Sequence, residues 1–81
     1  MTERLEDLAA DEQVKRMKLM SDTISALLAQ QGGTMSLKES REKAAERLET
    51  TVDEVDYGVV YGEATHRFSM TSSAGFLTAI A

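Results

Sequence analysis

Apolar residues recur at spacings of three and four along residues 14–31. Val14, Met17, Met20, Ile24, Leu27 and Leu28 form one stripe, while Lys15, Arg16, Lys18 and Asp22 fall largely off it. That period predicts an amphipathic helix. Gly32-Gly33 follows the last stripe residue and ends the helix, as glycine does just past a C-terminus. Neither proline nor glycine occurs between Thr2 and Gln31, so Leu5 and Leu8 belong to a separate short turn or to a frayed extension. Residues 34–37 read as a connector with room for one small strand.

The next two elements announce themselves by their first residues. Ser36-Leu37-Lys38-Glu39 and Thr51-Val52-Asp53-Glu54 both have the capping-box pattern, in which a hydroxyl accepts from the third helical N–H and a glutamate reaches back. A second helix therefore starts after Ser36, with Leu37, Ala44, Ala45 and Leu48 inward. Its outer face mixes Lys38, Glu39, Arg41, Glu42, Lys43, Glu46, Arg47 and Glu49, a pattern typical of a solvated, ion-paired surface. A third helix is predicted over residues 52–64, with Val52, Val55 and Val59 inward and Tyr57, Val60 and Tyr61 flanking. Gly58 and Gly62 weaken it by about 1 kcal/mol each relative to alanine. They also permit close approach by another backbone or a bulky side chain.

Residues 67–80 alternate and read as a β-hairpin around Ser72-Ser73-Ala74-Gly75, with Gly75 suited to a left-handed position in a bulged three-residue connection. This register pairs Ser72 with Phe76, Met70 with Thr78, and Phe68 with Ile80. It gathers Phe68, Met70, Phe76 and Ile80 on one face and sends Leu77 to the other with Arg67, Ser69 and Thr71. An isolated hairpin is unstable, so the apolar face must pack on the helices. The fold class is mainly α with a β-hairpin (α+β): one domain over residues 14–81, preceded by an acidic tail or helical extension over residues 1–13.

Composition narrows the function. The 81 residues hold 14 acids and 9 bases, for a net charge of −5. Five of those acids (Glu3, Glu6, Asp7, Asp11, Glu12) and one base, Arg4, lie in residues 1–13, so the acidity is mostly a property of the tail. There is no cysteine, hence no disulfide framework and no thiolate metal site. No basic start followed by an apolar run marks a secretory signal, and no apolar stretch approaches the roughly 20 residues that span a bilayer. A soluble cytoplasmic protein is the expectation. His66, the sole histidine, has no recognisable nucleophile beside it and matches no metal-ligand spacing. It reads as a polar residue at the junction of helix and hairpin. No enzyme activity and no cofactor are expected.

The run AAERLETTVDEV, with a helix before it and a hairpin after it, resembles the centre of a winged helix-turn-helix domain. The resemblance covers residues 14–80. It implies three helices followed by a two-stranded wing, with Ala45 as the small residue where two helices touch and Leu48 and Val55 as core positions on either side of the turn. The family's turn often holds a glycine; here it is Glu49-Thr50-Thr51. Winged helices bind DNA, RNA or proteins, so the resemblance speaks to fold more than to function.

Two functional readings follow. The first, a DNA-binding regulator, is taken as the expected function because fold precedent for it is broad, and the second is the alternative. As a DNA-binding transcriptional regulator, the chain would use Thr50 and Thr51 at the start of the third helix, with Lys38, Arg41, Lys43, Arg47 and Arg67 on phosphates. Against this, the third helix carries Asp53, Glu54, Asp56 and Glu63 and no base. As a protein-interaction module or inhibitor, the chain would present Asp53, Glu54, Asp56, Tyr57, Tyr61 and Glu63 to a partner with a basic surface, the tyrosines acting as anchors. A homodimer would use the first helix or the open strand at residues 76–80.

Overall fold

The computed structural model describes residues 4–71 and 75–80. Three helices, α1 (Ala10–Gln30), α2 (Leu37–Arg47) and α3 (Val52–Ala64), pack on a small antiparallel sheet of β1 (Thr34–Ser36), β2 (Phe68–Thr71) and β3 (Phe76–Ala79). No described helix is long and apolar enough to cross a membrane.

Local chemistry explains the helix ends. Ser36 Oγ accepts from the Glu39 N–H, and Thr51 Oγ1 from that of Glu54. α1 has no side-chain cap, but Asp11 and Glu12 in its first turn complement the helix dipole. All three C-termini close in the same way. The amide three residues past the last residue of each helix reaches back five residues, and the amide before it reaches back three: Gly33 to Leu28 and Gly32 to Ala29, Thr50 to Ala45 and Glu49 to Glu46, Arg67 to Gly62 and His66 to Glu63. This is the Schellman motif, which needs a left-handed residue. Gly32 supplies it for α1, with φ 82°. Glu49 (φ 54°) and His66 (φ 59°) supply it for α2 and α3. The turn after α2 thus takes its sharp bend without a glycine.

α1 begins four residues before the expected start at Val14. Ahead of it, Leu5–Asp7 form a separate turn of 3-10 helix, and Leu5 is buried. Val14, expected in the apolar stripe, is exposed, whereas Met20, Ile24, Leu27 and Leu28 are buried. Here α1 turns Gln13 rather than Val14 toward the N-terminal turn: its Nε2 donates to the Leu5 carbonyl at 3.1 Å.

The sheet departs from the expected hairpin. Its order is β1-β3-β2, and Phe68 pairs with Ala79, Met70 with Leu77 and Thr71 with Phe76. The expected Ser72–Phe76 pairing and most of its turn lie outside the described residues. The shift of one position exchanges the faces, because side chains alternate with a period of two. Leu77 is buried while Phe76 and Ile80 are exposed. The cause is the third strand: Met35 also pairs with Leu77. Met35, Leu77 and Met70 therefore form one apolar row under the helices. β3 is also the central strand, bonded on both sides, so dimerisation by adding a strand to residues 76–80 is ruled out along the paired length.

The core lies between this row and the helices, and includes Ile24, Leu28, Ala44, Ala45, Val55, Val59 and Phe68. Both α3 glycines serve it. A Cβ on Gly58 would fall 2.3 Å from the Met20 Cβ, and one on Gly62 would fall 2.0 Å from Phe68 Cζ. The first lets the α1 and α3 backbones approach; the second seats an aromatic ring.

Candidate functional site

The outward side of α3 carries the richest set of groups. Its register on the core, set by Val55, Gly58, Val59 and Gly62, turns Asp53, Tyr57 and Val60 to solvent and leaves Asp56, Tyr61 and Glu63 half-buried. Val60 is 66% exposed, the most of the exposed large apolar residues. With Asp53, Glu54, Asp56 and Tyr57 it lines an open pocket of about 310 Å³, to which the N-terminal segment contributes Arg4.

Glu54 departs from its expected place on this surface. It is buried, and its Oε2 accepts the Leu5 N–H at 2.8 Å. The capping-box pattern therefore holds only in its first half: the Glu54 amide is capped by Thr51, while the carboxylate serves a segment 49 residues away in sequence.

The bases expected to meet phosphate are largely committed. Arg41 Nη1 donates to both carboxylate oxygens of Asp56, at 2.9 and 3.2 Å, and its buried Nε has no hydrogen-bond partner. This guanidinium lies against the protein between α2 and α3. Lys43 pairs with Glu39 one turn away at 2.9 Å. Arg67 pairs with Asp22 of α1 and stands over the Tyr61 ring, 5.6 Å from its centroid. Lys38 and Arg47 are exposed and make no ion pair among the described residues. Thr50 is half-buried, and Thr51, though exposed, uses its hydroxyl as the α3 cap. The fold thus joins a residue from each expected site, Arg41 and Asp56, in one ion pair. It also separates the tyrosines: Tyr57 borders the pocket, whereas Tyr61 is covered by Arg67.

His66 is exposed at the left-handed position after α3. Among the described residues, no group of three His, Asp or Glu side chains converges as a metal site would require. Sequence reasoning missed Arg4 and Val60 as pocket residues and Leu5 as the partner of Glu54. The one available signal was Leu5 itself, an apolar residue in the otherwise charged run from Glu3 to Asp7.

No protein-family model matches the chain, and no curated protein or solved structure is detectably similar to it.

Proposed function

We propose that the chain is a winged helix-turn-helix domain that works as a non-enzymatic protein-interaction module, taking a basic protein surface on the outward side of α3. The wing would be β2 and β3. The α2–turn–α3 order followed by these strands supports the domain type. The observation that carries the function is the α3 face: exposed Tyr57 and Val60 beside Asp53 and Asp56, with no lysine or arginine on the helix. An aromatic and an aliphatic anchor ringed by acids suit a protein segment carrying arginine and leucine. By the same charge, the domain would work as an inhibitor that covers a nucleic-acid-binding surface on its target.

A second reading, a DNA-binding regulator, draws on the exposed Lys38 and Arg47 on α2. Duplex binding depends on phosphates neutralised by free cations. The pairing of Arg41 with Asp56 and of Arg67 with Asp22 removes two of the expected cations.

NMR titration separates the two. At physiological salt, a synthetic peptide of repeated Arg-Leu-Arg is expected to shift the amides of Asp53, Tyr57 and Val60, and alanine at Tyr57 and Val60 to weaken binding about tenfold. Random-sequence duplex DNA is expected to shift nothing even at low salt. Duplex binding centred on Lys38, Arg47, Thr50 and Thr51, with a steep salt dependence, would replace this function with the second.

A further inference from the structure

The N-terminal turn bears on the α3 face in a way its acidity conceals. Leu5 is 3% exposed, its N–H is held by Glu54, and its carbonyl is held by Gln13. These contacts tie the turn to both α1 and α3. The preceding residue, Arg4, stands at the rim of the pocket formed with Asp53, Glu54, Asp56, Tyr57 and Val60. Arg4 pairs with Glu6 of its own turn at 3.2 Å, and its side chain is 71% exposed. The chain therefore places an arginine at an acidic pocket with apolar walls, next to a buried leucine whose N–H is held by Glu54, one of the lining residues. An arginine is the side chain a basic partner would bring there.

We propose that residues 4–8 form a displaceable strap, with Arg4 as an internal stand-in for a partner's arginine, so that strap docking and partner binding at α3 exclude each other. This rests on the reading of α3 as a face for a basic protein segment. A short segment tied down by one buried side chain and two hydrogen bonds, one to α1 and one to α3, opens locally at low cost, while the helices stay folded. Once it leaves, the Leu5 seat opens and the Glu54 carboxylate, already in the pocket lining, is released from the Leu5 N–H. The partner then meets an unbonded acid and an apolar depression that the strapped form does not offer.

The test uses the full chain and the Arg-Leu-Arg repeat peptide, read by amide hydrogen exchange and by binding isotherms. Saturating peptide is expected to speed exchange at the Leu5 amide at least tenfold while the Ile24 amide is unchanged. Arg4→Ala is expected to tighten peptide binding threefold or more. Lys18→Ala, which removes the same charge from outside the pocket lining, is expected to tighten it less. Arg4 is largely exposed, so this variant should fold; circular dichroism checks that it does. Peptide binding with Leu5 exchange unchanged overturns the strap but leaves the α3 function standing, as does equal tightening by Arg4→Ala and Lys18→Ala. Failure of the peptide to bind any of the proteins overturns the α3 function and the strap with it.

Discussion

Gly58→Ala is the most direct probe of the packing on which the α3 face depends. In an isolated helix the change is favourable by about 1 kcal/mol, because alanine is the better helix former. In this fold the new methyl would fall 2.3 Å from the Met20 Cβ, 3.2 Å from its carbonyl carbon and 3.3 Å from its Cα. Restoring ordinary carbon–carbon contact requires α1 and α3 to part by roughly 1.2–1.7 Å. The obstructing atoms are backbone and Cβ, which no rotamer change can move aside. Overpacking of this kind costs about 1–3 kcal/mol, with rigid obstacles at the upper end. Net of the propensity gain, a loss of about 2 kcal/mol is expected, or a fall in Tm of roughly 8–16 °C for a domain of this size. Thermal and urea unfolding followed by circular dichroism at 222 nm measure it. An unchanged or raised Tm would refute the close contact between the two helices, and with it the placement of Tyr57 and Val60 on the outer side.

Two further substitutions test other features. Leu77→Ala should cost about 2–5 kcal/mol, as for a buried leucine, and Phe76→Ala less than about 1.5 kcal/mol; the reverse order in urea unfolding would favour the hairpin register shifted by one residue. His66→Gly should raise stability by up to about 1 kcal/mol, since glycine relieves the left-handed strain at some cost in chain entropy; a lower Tm would mean that the histidine makes a contact worth more than that strain.

The helices were legible because their signals are local. Ser36 and Thr51 cap within one turn, Gly32 terminates within one turn, and the Met20–Ile24–Leu27–Leu28 stripe needs no knowledge of its neighbours. The two roles of Gly58 and Gly62 were also legible in kind, since a glycine in a helix implies something close; which residues came close was not. The hairpin register failed because it was judged from two strands alone. Phe68 and Ile80 make a plausible apolar pair until Met35 claims Leu77. The site was least legible. Arg41 and Asp56 were assigned to rival surfaces because charge counted along a sequence does not reveal which helix faces meet. Glu54 was assigned to its own helix cap because a capping box is a local pattern, and its actual partner lies near the other end of the chain.

The place of β3 has a consequence for how the molecule assembles. β1 and β2 share no hydrogen bonds; each pairs only with β3. During synthesis the helices can form and begin to pack as they emerge, but Thr34–Ser36 and Phe68–Thr71 must wait as unpaired backbone until residues 76–79 have left the ribosome. A frameshift or nonsense codon just before Phe76 would therefore remove not a single strand but the entire sheet, leaving a helical product with Met35 and Phe68 uncovered and prone to capture by quality-control machinery.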